Sequence, residues 1–162
     1  MLSSARAWEV LATVPDPEIP VLSVCDLGIV RHVQADDECV AVTLTPTYSG
    51  CPATEAIAAD VRAALVEAGA GSVEVQTRLD PPWTTDWISE AGQEKLRRYG
   101  IAPPHTLQPG APRPVRLVPR AVACPRCASK RTTRLSAFGS TACKALYRCE
   151  DCREPFDYFK PL

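Results

Sequence analysis

The chain has 162 residues, of which 46% are hydrophobic, and a formal net charge of −1, values that fit one globular domain or a domain with a small module attached. No run of about 18 apolar residues occurs, so no membrane span is expected, and residues 1–14 lack a basic-then-apolar secretory pattern, which leaves a cytoplasmic protein as the expectation. In that reducing setting the eight cysteines point to metal ligands or reactive thiols and away from disulfides. The near-zero charge conceals a split. Residues 1–112 carry 7 basic and 15 acidic side chains, a balance of −8, whereas residues 113–162 carry 11 basic and 4 acidic, a balance of +7.

In chain order, Ser3 or Ser4 can cap a first helix whose apolar residues Ala7, Val10, Leu11 and Val14 recur at helical spacing, and Pro15 ends it. Asp16-Pro17-Glu18-Ile19-Pro20 is a stiff loop, because its prolines fix φ and remove donors. Its two carboxylates read either as part of a site or as a solvated turn. Asp26-Leu27-Gly28-Ile29-Val30 is expected to open a strand running to about Gln34. A turn then leads into a second strand, Cys39 to Leu44, with Val40, Val42 and Leu44 on one face, most simply as a hairpin. Cys25 and Cys39 have no partner at ligand spacing and read as structural, and His32 reads as an ordinary strand histidine.

Thr45-Pro46-Thr47-Tyr48-Ser49-Gly50-Cys51-Pro52 is the stretch these elements present. Beyond it Ile57, Val61, Ala64, Leu65 and Ala68 recur at helical spacing up to Gly69. With Pro52 in the first turn, Cys51 falls at the N-cap, where free N–H groups and the helix dipole favour thiolate, the form that binds metal or attacks an electrophile. The alternative is a small apolar residue filling a gap beside a turn. Gly50 and the hydroxyls of Thr45, Thr47, Tyr48 and Ser49 lean toward function, as a polar rim.

A third strand, Ser72 to Leu79, and a last helix from about Thr85 to Tyr99 complete an α+β sandwich in the order helix-strand-strand-helix-strand-helix. Ile88, Gly92, Leu96 and Tyr99 form the inward stripe of that helix, and Trp83 and Trp87 read as packing. Six prolines from Pro103 to Pro119 make a semi-rigid linker that contains His105, read as solvated. The expected boundaries are 1–101 for the α+β domain, 102–119 for the linker and 120–162 for a terminal module.

Cys124-Pro125-Arg126-Cys127 and Cys149-Glu150-Asp151-Cys152 are separated by 21 residues. Each Cys-x-x-Cys forms a knuckle whose two sulfurs converge on one ion, and two knuckles complete a tetrahedral four-thiolate zinc ribbon. Some 40 residues cannot bury a self-sufficient core, so metal would hold the module together. No position remains open for substrate, so the site is structural; a rubredoxin-like iron is the minor alternative. Cys143 is left over as the odd thiol. Arg126, Lys130, Arg131 and Arg134, near Phe138, Tyr147, Phe156, Tyr158 and Phe159, suit nucleic acid, an acidic protein or the chain's own acidic half.

The set Asp16-Pro17-Glu18-Ile19-Pro20, Asp26-Leu27-Gly28-Ile29-Val30, and Thr45 and Thr47 followed by Gly50-Cys51-Pro52 resembles the small iron–sulfur cluster assembly domain that includes SufT and the eukaryotic cytosolic targeting factors. The resemblance covers about residues 4–100. The wider family has Thr-Thr-Pro where this chain has Thr47-Tyr48-Ser49. That departure, the linker, and the segments Phe138 to Lys144 and Glu154-Pro155-Phe156 are similar to one branch, the accessory subunits of bacterial phenylacetyl-CoA 1,2-epoxidase.

This resemblance implies an accessory, non-enzymatic protein that brings iron or a cluster to a client, the flavin and [2Fe–2S] reductase of the epoxidase being the natural one. It implies that Cys51 is the transient ligand or sulfur-handling thiol, that Asp16 and Glu18 are neighbouring carboxylates, and that Thr45 and Thr47 steady the loop. A cluster normally takes four thiolates, so one bridged between two copies (a homodimer) or shared with the client follows. The chain has no Glu-x-x-His pair for a di-iron site and no dinucleotide glycine loop. Two other readings stay open: a zinc-ribbon nucleic-acid-binding protein, which the resemblance disfavours, and a Cys51 enzyme, which lacks an obvious general base.

Overall fold

The computed structural model describes residues 2–36, 38–105 and 121–161. Most of the Pro-rich linker, at 106–120, lies outside the described residues. The chain forms two compact units, Met1–Gly92 and Gln93–Leu162.

In the first unit, α1 (Ser4–Leu11) is capped as expected: the Ser3 side chain accepts from the Arg6 N–H. β1 (Val30–Ala35) and β2 (Cys39–Leu44) make the antiparallel hairpin, and β3 (Ser72–Thr77) lies parallel to β2, with α2 (Thr54–Glu67) in the crossover. The sheet order is β1-β2-β3. Val40, Val42 and Leu44 of the central strand are buried, as are Ile57, Val61 and Leu65 of α2 and Ala7 and Leu11 of α1. These apolar faces meet in one core, with α1 packed on α2 and β1.

Two sequence expectations fail in this unit. Asp26 to Ile29 is a turn ahead of β1 and not the start of a strand. The expected single helix from Thr85 is a 3₁₀ turn, Thr85–Trp87, and then α3 (Glu90–Tyr99). Ile88 between them is extended, with φ −67° and ψ 125°, which breaks the helical ladder.

In the second unit, which takes up α3 from Gln93, a four-stranded sheet runs in the order β4-β7-β6-β5, with β4 (Ile101–Ala102), β5 (Thr132–Ser136), β6 (Lys144–Cys149) and β7 (Pro155–Phe159). Strands β5, β6 and β7 are antiparallel neighbours, and β4 pairs parallel with β7 through Ile101 and Ala102. Ala102, expected to begin the linker, is therefore a strand residue. His105, expected in solvent, is half-buried with its ring 6.0 Å from that of Tyr158. Leu96 is buried as expected, but Tyr99 is exposed.

Candidate functional site

The four knuckle cysteines converge. All are free thiols, and their sulfurs lie within 4.8 Å of one another. Cys124 Sγ is 3.7 Å from Cys152 Sγ, and Cys127 Sγ is 3.6 Å from Cys149 Sγ. A tetrahedral ion with metal–sulfur bonds of about 2.3 Å requires sulfurs about 3.8 Å apart, so the donor set fits a metal. Cys124, Cys127, Cys149 and Cys152 would hold the ion as a closed four-thiolate shell, in which it neutralises charge and cross-links the strands.

The knuckles are built alike. Cys124 donates its N–H to the Ser129 carbonyl at 2.9 Å, and Cys149 donates to the Glu154 carbonyl at 3.0 Å. The residue after each second cysteine, Ala128 or Arg153, has φ of 60° or 67°. That left-handed step turns the Ser129 and Glu154 N–H groups onto the sulfurs of Cys127 and Cys152. A clasp joins the two halves: Glu150 donates its N–H to the Arg131 carbonyl at 2.8 Å, the Arg131 guanidinium pairs with Asp151 at 3.1 Å, and the Ser129 hydroxyl donates to the same carboxylate. The N–H of Cys152 lowers Cys149 to about 7, with burial opposing it and the Asp151 N–H assisting. The Glu154 N–H pulls Cys152 down, but burial and the thiols of Cys149, Cys124 and Cys127 push it up to about 12. Four crowded sulfurs resist ionising together until a cation joins them.

The N-terminal candidates sit on loops. Cys51 is half-buried between β2 and α2, but it is not the helix cap. The N-cap position belongs to Ala53, which makes no side-chain cap, and the Cys51 carbonyl accepts from both the N–H and the hydroxyl of Thr54, at 3.2 and 2.9 Å. The N–H of Cys51 donates to the Tyr48 carbonyl at 3.2 Å, closing the preceding turn. Pro52 and Ala53 thus form a turn ahead of the helix, and the thiol stands outside the N-terminal position expected for it.

Asp16 is buried, and its Oδ1 accepts the N–H groups of Glu18 and Ile19 at 2.9 and 2.8 Å. It shapes the loop that carries the half-buried Glu18. A seam of backbone bonds ties that loop to the end of β2. Asp16 donates to Leu22, Val24 to Val14, Ile29 to Val24, and Thr45 to Ile29, all between 2.8 and 3.0 Å. Thr45 is buried and Thr47 half-buried on the segment that continues to Cys51.

The Asp26-Leu27-Gly28 turn is a packing hub. Asp26 Oδ2 accepts the Ser23 N–H and its own N–H meets the Ser23 hydroxyl, both at 3.0 Å. Its carbonyl accepts the Ser89 N–H at 2.9 Å, and the buried Trp83 indole donates to the Leu27 carbonyl at 2.9 Å. Gly28 has φ +68°, and a Cβ there would lie 2.5 Å from the Trp87 carbonyl oxygen, so both conformation and space require glycine. Trp87 in turn stacks under the Arg31 guanidinium at 3.5 Å. Neighbouring Cys25 is pushed up to about 11 by burial, with the Asp26 charge adding to the rise. Sequence reasoning missed Ser89 and the Trp83 indole as partners of this turn; the only sequence signal was a pair of tryptophans beside prolines.

A three-stranded α/β unit followed by a four-cysteine ribbon defines the class, a cluster-assembly type domain carrying a zinc-ribbon module. Residues 4–77 match the family described as iron-sulfur cluster assembly protein, and residues 109–160 match the PaaD zinc beta ribbon domain. The fold of the first part is similar to the crystal structure of a domain of unknown function, DUF59, from Bacillus anthracis. That match has a TM-score of 0.54 and 29% identity, covering 57% of this chain and 90% of that one. A protein named Fe-S protein maturation auxiliary factor in Porphyromonas gingivalis (strain ATCC BAA-308 / W83) is 40% identical over 88 residues, 53% of this chain and 83% of the relative. A protein of Escherichia coli (strain K12), named as a subunit of 1,2-phenylacetyl-CoA epoxidase, is 54% identical over 155 residues, 94% of this chain and 90% of the relative. The chain belongs to the PaaD family of phenylacetyl-CoA epoxidase subunits. Among the described residues no helix is long and apolar enough to cross a membrane.

Proposed function

We propose that this chain is an accessory, non-catalytic subunit of a phenylacetyl-CoA epoxidase system in the cytoplasm, which assembles or delivers an iron–sulfur cluster for the flavin and [2Fe–2S] reductase. The observation that carries the reading is the pairing of a maturation-factor-like unit, whose Cys51 lies half-buried on a loop, with a metal centre that protein closes on all four sides. In this reading the ribbon holds structural zinc on Cys124, Cys127, Cys149 and Cys152, and Cys51 is the transient ligand. Asp16 fixes the loop that brings Glu18 to the same end of the sheet, and Thr45 and Thr47 steady the segment before Cys51. One thiolate does not retain a cluster, so the cargo is bridged between two copies or shared with the client.

Cys51→Ser should fold and keep its metal, because the change is nearly isosteric and lies outside the ribbon. Cells carrying it should make reductase without its [2Fe–2S] centre, read by visible absorption and iron content. Adding mature reductase to that extract should restore epoxidation with no functional copy of this chain present. Activity that still requires this chain when every other subunit carries its cofactors would make it a working part of the oxygenase.

A further inference from the structure

From Ala123 to Arg148 the chain has six basic residues and no acidic one. Three are engaged: Arg131 with Asp151 at 3.1 Å, the buried Lys144 with Asp157 at 3.6 Å, and Arg148 with Glu150 at 3.9 Å. Arg126, Lys130 and Arg134 make no ion pair among the described residues and are exposed. Within this basic stretch lie two large apolar side chains in solvent, Leu135 at 53% and Phe138 at 65% exposure.

The loop that carries Phe138 is held from several sides. The Phe138 N–H donates to Ser136 Oγ at 3.2 Å, the Gly139 N–H to the Lys144 carbonyl at 2.8 Å, and the Lys144 N–H to the Thr141 carbonyl at 3.2 Å. From the C-terminal end, the Lys160 N–H donates to the Cys143 carbonyl at 2.9 Å and its ammonium to the Ala137 carbonyl at 3.1 Å. That ammonium also sits 4.4 Å from the centre of the Phe138 ring. A Cβ on Gly139 would lie 2.8 Å from Asp157 Oδ1, so the loop closes directly over the pair that Asp157 makes with the buried Lys144. Burying an ammonium to anchor a loop whose largest side chain is then left in water makes no sense as packing. It does present a preorganised aromatic anchor.

We propose that Phe138 and Leu135, rimmed by Lys160, Arg134 and Lys130, dock into an apolar recess on an acidic partner protein. Leu135 falls at the register shift between Arg134 and Ser136 on edge strand β5, and a bulge there turns the edge away from strand addition, so side chains make the contact. Lys160 takes one face of the Phe138 ring and the neighbouring anchor is aliphatic, which favours insertion into a protein over stacking on bases. The partner's acidity follows from charge complementarity. Its identity as the reductase rests on the maturation reading above.

The test titrates the zinc-loaded full-length chain against purified reductase at low and high salt. Leu135→Ser with Phe138→Ser should weaken binding by roughly tenfold or more, with metal content and hydrogen-exchange protection unchanged because both side chains are exposed. Arg134→Glu should weaken binding at low salt and much less at high salt. Equal binding by the double variant, no binding of the unaltered chain to reductase, or Phe138-dependent binding to a single-stranded oligonucleotide in its place would each overturn the proposal. Cys51→Ser should bind reductase like the unaltered chain, so loss of cluster delivery with docking intact removes the maturation reading alone.

Discussion

The two units solve the same problem with different materials. The first has an aliphatic interior: Leu11, Leu22, Leu27, Leu44, Leu65, Val24, Val42 and Val61 are all essentially inaccessible. The core of the second is a small cluster of Ala102, Val122, Ala145, Phe156 and Tyr158 in which the sulfurs of Cys124 and Cys149 take part. Those sulfurs are also the metal donors, so removing the ion takes away the ligand shell and part of the interior together. A unit of leucines loses stability by increments, whereas a unit of thiolates loses it at one stroke.

Three changes probe that contrast. Cys127→Ser, or a chelator, should have the largest effect, since metal binding stabilises small zinc modules by about 10–16 kcal/mol. Metal content should fall and amide protection in β5, β6 and β7 should vanish while β1, β2 and β3 stay protected. Full retention of metal and protection would show that the apolar cluster alone holds the ribbon. Leu65→Ala, at a wholly buried position of α2, should cost about 2–5 kcal/mol by denaturant unfolding with metal content untouched. A loss of metal in that variant would mean the two units unfold together.

The smallest effect is a pH dependence confined to the first unit. Burial, assisted by Asp26, raises Cys25 from the ordinary thiol value of 9.0 to about 11. The folded state therefore holds this proton more tightly than the unfolded chain. The contribution is fully present below the ordinary value, falls as pH rises through that window, and is gone above about 11. Stability of the first unit should decline across this range, and Cys25→Ser should flatten the decline. Alkylation of Cys25 with a half-point near the ordinary thiol value would contradict the burial seen here.

Features that depend on neighbours in the chain were legible without coordinates. Ser3 caps α1, the period of Ile57, Val61 and Leu65 buries one face of α2, and the two Cys-x-x-Cys knuckles converge as their spacing requires. The α+β class and the ribbon follow from such local rules, because a knuckle or an amphipathic turn closes its own bonds within a few residues. The resemblance carried by Asp16 to Pro20, Asp26 to Val30 and Gly50-Cys51-Pro52 reached the family as well.

What tertiary structure decided are the places where a distant group outbids a local preference. Asp26 to Ile29 has strand composition but becomes a turn, because Ser89, Trp83 and Trp87 come in from far along the chain to bond its carbonyls and pack on Gly28. Ile101 and Ala102 follow a helix and precede prolines, yet they become a strand once Asp157 and Tyr158 offer an open edge. Cys51 precedes a proline as a cap should, but the hydroxyl and N–H of Thr54 take its carbonyl and delay the helix by two residues. Backbone groups must find partners wherever the fold supplies them, and a sequence read locally sees only the partners close at hand.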